Sequence, residues 1–254
     1  MRITVKIGTS TLTYENGRLN LKQIEGIARV LSDLINSGHE IVLVTSGAIG
    51  VGAGKIKLCE KTNSTREKQA LAAIGQCELM SIYDKFFGGY SHTVAQVLLT
   101  RDVFDDEKRR QNASNTFEKL LEYGVVPVVN ENDTVSVEQI EFGDNDTLSA
   151  MVAALVGAEL LIILSDIDGL FDRDPNKYPD ATLIRRVDDI TEEIKAKAGG
   201  VTSKRGTGGM LTKVMAAQIA TGAGCEVVIA NGRDPKIIYD ILDGEYVGTY
   251  FSSH

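Results

Sequence analysis

Short runs of Val, Ile and Leu alternate along this chain with longer stretches in which apolar residues recur at helical spacing. The clearest helical stretch covers residues 21–35, and Gly38 follows it in a position suited to ending a helix. Further helices are predicted at 67–87, 106–123, 147–157, 213–223 and 236–242. The short apolar runs predict strands at 3–7, 41–44, 92–99, 125–129, 160–164 and 227–230.

Alternating strands and helices predict an α/β domain, because buried parallel strands need helices on both faces of the sheet. The expected architecture is a three-layer α/β/α sandwich around a mostly parallel central sheet. No linker, repeat or low-complexity segment interrupts the 254 residues. We therefore expect one domain over 1–254, with an N-terminal lobe over about 1–164 and a C-terminal lobe over about 165–254.

Small and polar residues gather at the ends of five predicted strands. They are Gly8-Thr9-Ser10, Thr45-Ser46-Gly47, Asn130-Glu131-Asn132-Asp133, Ser165-Asp166 and Asn231-Gly232. Polar turns alone would explain one or two such endings, but less well all five. Since ligands of open α/β sheets bind outside the carboxyl ends of the strands, these residues are expected to surround a ligand site.

The stretch 205–213, RGTGGMLTK, brings three glycines and then Lys213 to the start of a predicted helix. Glycines allow close backbone approach, and a helix start attracts phosphate. Taken alone, the stretch fits a glycine linker equally well. It lacks the P-loop pattern, since Thr212 stands where glycine is required, and the glycines between 47 and 54 do not form a dinucleotide fingerprint. What remains is a phosphate site of another α/β design.

The net charge of −8 argues against a general nucleic-acid binder, so an anionic ligand must be held by a few local cations. The chain shows no signal peptide and no apolar run long enough to span a membrane, which favours the cytoplasm. The histidines are scattered and the cysteines have neither metal nor redox spacing. These residues are His39, His92, His254, Cys59, Cys77 and Cys225.

Several motifs resemble those of the amino-acid kinase family, in the family's order. They are residues 5–10 (VKIGTS), 45–48 (TSGA), 143–146 (GDND) and 208–213 (GGMLTK). Residues 68–76, 98–101, 127–133 and 169–175 are similar to the glutamate 5-kinase branch of that family. The resemblance runs from Lys6 to about Phe251. Many members add a C-terminal PUA domain, for which we expect no room in a chain ending at His254.

This resemblance implies phosphorylation of the γ-carboxylate of L-glutamate by ATP, the first step towards proline. Mg²⁺ is expected with ATP, bound mostly through phosphates and water rather than by protein ligands. Proline is a possible feedback inhibitor, and the chain is expected to form a homodimer or homotetramer without nucleic-acid or membrane partners. The open alternatives are another small-acid kinase, such as acetylglutamate kinase or aspartokinase, and a non-catalytic amino-acid or nucleotide sensor.

The resemblance also assigns roles to residues. Lys6 and Lys213 would contact the transferring and leaving phosphates, with Asp146 orienting both lysines. The alternative for Lys6 is an outward lysine on an edge strand, and that for Lys213 is a solvated surface lysine. The alternative for Asp146 is a helix N-cap. The expected glutamate-binding residues are Ser46, Gly47, Asp133 and Asn145. The expected ATP-binding residues are Lys6, Ser165, Asp166, Thr207, Gly208, Gly209, Met210, Leu211, Thr212 and Lys213.

Overall fold

A single eight-stranded sheet forms the centre of the molecule. The computed structural model describes residues 1–14, 18–58, 64–136, 145–199, 209–245 and 247–253. The strands are β1 (Arg2–Ile7), β2 (Glu40–Val44), β3 (Val94–Leu99), β4 (Val126–Glu131), β5 (Leu160–Ser165), β6 (Arg186–Val187), β7 (Glu226–Asn231) and β8 (Thr249–Phe251). All six predicted strands are therefore present, and β6 and β8 are additional.

Helices cover both faces of this sheet. In chain order they are α1 (Thr9–Leu12), α2 (Leu21–Asn36), α3 (Ala48–Lys55), α4 (Thr65–Gly89), α5 (Asp102–Asp105), α6 (Glu107–Glu122), α7 (Asn145–Leu155), α8 (Glu192–Gly199), α9 (Met210–Gly222) and α10 (Ile237–Leu242). None of the described helices is long and apolar enough to cross a membrane. The predicted three-layer α/β/α architecture is confirmed.

The strand order places β1 in the middle of the sheet. The order is β3-β4-β2-β1-β5-β7-β8-β6, with parallel pairing from β3 to β7 and antiparallel pairing between β7 and β8. After β1 the chain first builds outward through β2 and later returns to add β5 on the other side. This reversal puts a crevice at the carboxyl end of β1, where ligands of such sheets bind. The five polar strand ends belong to five adjacent strands, β4, β2, β1, β5 and β7.

Alternate residues of β1 point to opposite layers. Ile3, Val5 and Ile7 are fully buried against the layer that contains α2, α4 and α10. Lys6 lies on the other face, where its ammonium group contacts Asp146 of α7, which also binds Lys213 of α9. Because side chains alternate along a strand, an apolar run with one lysine buries that lysine in the second layer. The edge-strand alternative for Lys6 is wrong.

A glycine-rich run follows β2, and the structure folds most of it into helix α3. A Cβ atom on Gly52 would lie 2.0 Å from the carbonyl oxygen of Leu71, and one on Gly75 would lie 1.8 Å from the carbonyl oxygen of Ala48. These two glycines therefore let α3 and α4 touch backbone to backbone. Gly52 and Gly75 therefore serve the packing of these two helices.

Several helix boundaries differ from the predicted ones. Helix α7 begins two residues before the predicted position, and α9 begins three residues before it. The sequence also predicts a hairpin between residues 12–14 and 18–19 with a turn at 16–17, and a hairpin or flap at 134–142. In the structure, Leu12 ends helix α1, whereas Thr13 pairs with Leu19 in an antiparallel bridge. Residues 16–17 and 137–142 lie outside the described residues.

Candidate active site

Asp146 binds two lysines that come from distant parts of the chain. Its Oδ1 lies 2.5 Å from Nζ of Lys6 on β1, and its Oδ2 lies 2.9 Å from Nζ of Lys213 on α9. Asp146 is 1% exposed and each lysine is 6% exposed. The structure therefore brings together the three predicted catalytic residues, and Lys213 is not a solvated surface lysine.

Electrostatics keep the carboxylate of this cluster in its charged form. Burial alone would raise the pKa of Asp146, but the charges of Lys6 and Lys213 outweigh burial and lower that pKa to about 2. The carboxylate is thus ionised at any physiological pH. Within the three residues, one carboxylate faces two ammonium groups. Buried ammonium groups of this kind are suited to binding an anion.

Two helices begin at the cluster. Asp146 lies in the first turn of α7, and Lys213 lies in the first turn of α9. Gly209 precedes α9 in an extended conformation and has no side chain with which to cap it. The positive ends of both helix dipoles and the first N–H groups of α9 therefore add to the attraction for an anion. Asp146 uses its carboxylate on the lysines, so the N-cap alternative does not describe its main contacts.

Thr212 supports Asp146 from the same turn as Lys213. Its hydroxyl oxygen lies 3.1 Å from Oδ2 of Asp146 and 2.8 Å from the carbonyl oxygen of Gly209. Thr212 was expected among the ATP-binding residues, and the structure shows that its side chain also contacts the central carboxylate. Its contact with ATP stays a prediction.

The ends of β1 and β2 are joined beside the cluster. The Ser46 hydroxyl donates a hydrogen bond of 2.9 Å to the carbonyl oxygen of Ile7. The Thr9 hydroxyl lies 3.3 Å from the Ser46 hydroxyl. Gly47 has a φ of +86°, and a Cβ atom there would lie 3.1 Å from Cγ2 of Thr9. Glycine is required at 47 by both conformation and space. The expected glutamate contacts of Ser46 and Gly47 stay predictions.

Asp133 and Asn145 lie near the ends of β4 and β2. Asp133 follows β4, and its burial raises the pKa of its carboxyl group to about 6. The side-chain nitrogen of Asn145 donates to the carbonyl oxygen of Thr45 at 2.7 Å and to Oδ1 of Asn130 at 2.8 Å. A half-buried carboxylate without a cation among the described residues suits a positively charged ligand group.

Two of the predicted ATP-binding residues, Ser165 and Asp166, lie at the end of β5, which neighbours β1 on the side opposite to β2. Ser165 ends β5, and its hydroxyl lies 3.3 Å from Oδ1 of the exposed Asp166. At the start of α9, Met210 is buried and Leu211 is 37% exposed. Thr207 and Gly208, which the sequence also assigned to ATP, lie outside the described residues.

Sequence reasoning missed some residues that support the site. Gln76 and Asn130 were noted only within motifs, yet both are buried and hydrogen-bonded to each other at 2.9 Å. The Thr45 hydroxyl lies 2.8 Å from the hydroxyl of the fully buried Tyr83. The available signal was Gln76 next to the apolar run 70–74, because a polar side chain on the buried face of a helix needs a partner.

Comparison with known proteins identifies the family. A model described as "Amino acid kinase family" matches residues 1–231, which is most of the chain. This chain belongs to the amino acid kinase family. Within the family it is similar to proteins named glutamate 5-kinase, which confirms the branch expected from the motifs.

Three such relatives show the extent of the match. The Clostridium perfringens glutamate 5-kinase is 58% identical, over 98% of this chain and 94% of the relative. The Listeria innocua glutamate 5-kinase is 55% identical, over 99% of this chain and 93% of the relative. The Caldanaerobacter subterraneus glutamate 5-kinase is also 55% identical, over 99% of this chain and 68% of the relative. The expected lobe boundaries and the expected absence of a PUA domain stay predictions.

Solved structures of other kinases share the fold at low identity. Carbamate kinase from Giardia lamblia bound to AMP-PNP has a TM-score of 0.71 at 14% identity, covering 99% of this chain and 98% of that one. UMP kinase from Ureaplasma parvum has a TM-score of 0.68 at 15% identity, with the same coverage. These likenesses concern the fold alone, whereas family membership makes this amino acid kinase a phosphotransferase that uses ATP.

Proposed function

We propose that this amino acid kinase transfers the γ-phosphoryl group of ATP to the γ-carboxylate of L-glutamate, giving L-glutamyl 5-phosphate, the first step of proline biosynthesis. The observation that carries the proposal is the buried Lys6–Asp146–Lys213 cluster at the carboxyl end of the central strand. Relatives named glutamate 5-kinase over nearly the full chain support the choice of substrate.

The chemistry needs positive charge and no general base. A glutamate side chain has a reference pKa of about 4.3 and is ionised at neutral pH. One of its carboxylate oxygens attacks the γ-phosphorus, and the bond from that phosphorus to the bridging oxygen of ADP breaks. No proton moves. The barrier comes largely from bringing a carboxylate against a triphosphate, which Lys6, Lys213 and the two helix starts offset.

Each predicted residue has a place in this scheme. Asp146 holds both ammonium groups, Lys6 towards the transferring phosphoryl group and Lys213 towards the leaving phosphates. The N-terminal lobe binds glutamate through Ser46, Gly47, Asp133 and Asn145. The C-terminal lobe binds ATP through the remaining predicted residues, Ser165, Asp166 and 207–212.

Mg²⁺ accompanies ATP in this proposal and neutralises phosphate charge when bound. Among the described residues, no three His, Cys, Asp or Glu side chains converge as a metal site. In the proposal, the ion is carried mostly by phosphate oxygens and water. Feedback inhibition by proline, assembly into a homodimer or homotetramer and a cytoplasmic location belong to the same proposal.

An ADP-release assay with L-glutamate, N-acetylglutamate and L-aspartate tests the proposal. Trapping the product with hydroxylamine distinguishes an acyl phosphate from simple ATP hydrolysis, because only the acyl phosphate gives a hydroxamate. We expect turnover and trapped product with L-glutamate. Absence of both with L-glutamate, or faster turnover with either of the other acids, would contradict the proposal.

A further inference from the structure

Four side-chain amides form a hydrogen-bonded chain from the edge of the sheet to the proposed substrate site. The Nδ2 of Asn145 donates to Oδ1 of Asn130 at 2.8 Å, whose own Nδ2 donates to Oε1 of Gln76 at 2.9 Å. The Nε2 of Gln76 in turn lies 3.4 Å from Oε1 of Gln96. The chain links α7, β4, α4 and β3, and Asn130 and Gln76 are 1% and 7% exposed.

Two backbone groups fix the direction of this chain. The carbonyl oxygen of Thr45 can only accept, so the atom of Asn145 that lies 2.7 Å from it must be nitrogen. The N–H of Glu131 can only donate, so the atom of Asn130 that lies 2.9 Å from it must be oxygen. Neither amide can be flipped without placing like groups against each other. Gln76 must then present its oxygen to Asn130.

This direction determines what Asn145 can offer a ligand. Its two N–H groups are both used, by Thr45 and Asn130, and its Oδ1 has no donor among the described residues. Asn145 is therefore left as an acceptor only. Asp133, which follows the same strand that carries Asn130, is an acceptor too when ionised. Two acceptors suit a free ammonium group, whereas an acylated nitrogen offers one N–H and no charge.

We propose that Gln76 is a positioning residue that, through Asn130, keeps Asn145 oriented as an acceptor for the free α-ammonium group of the substrate. Gln76 need not touch the substrate for this role. The inference rests on the proposed function, and it adds a reason why an N-acylated amino acid would be rejected. Loss of the Gln76 acceptor leaves a buried N–H of Asn130 unsatisfied. Asn130 is then held less firmly, which weakens the hydrogen bond that it accepts from Asn145 and loosens the position of Asn145 without a flip of either amide.

Gln76→Met tests this role, with Gln111→Met as the matched control on an exposed face of α6. We expect the KM for L-glutamate to rise about tenfold in Gln76→Met, the magnitude of a lost buried hydrogen bond, with kcat changed much less. The inhibition constant of glutarate, which is glutamate without its amino group, should stay unchanged. Gln76→Glu should restore the KM, since burial favours a protonated carboxyl that can both accept and donate.

Equal losses for glutamate and glutarate would overturn the inference and indicate a merely structural role. An unchanged KM for glutamate in Gln76→Met would overturn it as well. Failure of the wild-type chain to phosphorylate glutamate would instead contradict the proposed function. The amide chain is then still tested by NMR on the wild-type protein, where the Asn145 side-chain NH₂ should exchange slowly with solvent, and exchange at the rate of a free amide would overturn the inference.

Discussion

Asp146 holds the two lysines of the proposed active site with one side chain. Its two partners lie 140 and 67 residues away along the chain, and each oxygen of the carboxylate holds one ammonium group. A carboxylate with two oxygens can fix two lysines in place without cancelling both charges. In the proposed function, these two lysines receive the phosphate groups of ATP.

Replacing Lys213 by methionine removes one charge from the cluster and keeps most of the side-chain volume. We expect kcat to fall about 10²–10³-fold, because the leaving phosphates lose a preorganised cation. Thermal unfolding should change little or rise, since Asp146 keeps Lys6 as its partner. The assay is steady-state ADP release.

The matched control for that change is Lys197→Met. Lys197 lies on α8 and pairs with Glu193 at the surface, at 2.8 Å. Its loss should leave kcat within about twofold, as surface ion pairs contribute little. A near-normal kcat in Lys213→Met would contradict the assigned role.

Asp133 should make glutamate binding and stability depend on pH in opposite ways. Its folded-state pKa is about 6 against an ordinary 3.8. As pH falls through about 6, the free enzyme protonates Asp133 and kcat/KM for glutamate should fall. The fold loses stability as pH rises from about 4 through 6, because ionisation is unfavourable in the buried site.

Asp133→Asn separates the two effects. The variant should unfold at a higher temperature than the wild type at pH 8 and show no such advantage at pH 4. Its KM for glutamate should be raised at pH 8, without the loss of kcat/KM near pH 6. Calorimetry and kinetics at both pH values check this, and an unfolding temperature below the wild type at pH 8 would contradict the burial argument.

At the scale of elements, the helices that meet the site do so through close packing. Helices α7 and α9 pack against each other, so their first turns bring Asp146 and Lys213 together. On the other face, α3 follows Gly47 and lies against α4 with almost no side-chain spacer. The packing of α3 on α4 thereby fixes the position of the end of β2.

Gly75→Ala should damage that contact, because a Cβ atom there would lie 1.8 Å from the carbonyl oxygen of Ala48. We expect the free energy of unfolding to fall by about 3 kcal/mol or more. The same change at Gly50 meets nothing within 4 Å and lies inside α3. Gly50→Ala should therefore be neutral or stabilising by about 0.5–1 kcal/mol. Urea denaturation measures both, and equal effects would contradict the packing argument.

At the scale of the whole molecule, the sheet is most protected where the site is built. Strand β1 is bonded on both sides, to β2 and β5, over nearly its whole length. Strand β3 is at one edge, and the short β6 and β8 lie at the other. Lys6, the lysine of β1 in the proposed active site, thus lies in the most constrained part of the fold.

Hydrogen exchange followed by mass spectrometry should reflect this order. Peptides covering β1 and β5 should exchange last, close to the free energy of global unfolding, and those covering β3 and β8 should exchange earlier. Peptides from α6, on the outer layer, provide an internal reference. Exchange of β1 as fast as β8 would contradict the central position of β1.

Much of this molecule could be predicted from the sequence because the relevant forces are local. Apolar runs specify strands, helical spacing specifies α2 and α4, and Gly38 ends α2 with a φ of +96° as expected. The polar strand ends located the site, since strands of a parallel sheet share one carboxyl edge. The resemblance of several motifs then named the family, which the comparisons confirmed.

Other features depended on contacts between residues distant in the chain. The glycine-rich run after β2 was assigned to no element from the sequence, yet it forms helix α3. Its backbone contact with α4 is visible only once both helices are packed. The burial of Lys6 and Lys213 against one carboxylate, and the direction of the amide chain from Gln96 to Asn145, arise only when several elements meet. The sequence by itself determined the elements and the kinds of side chain at the site. Only the tertiary structure decided their partners, because charge pairing and hydrogen-bond direction depend on distances between elements.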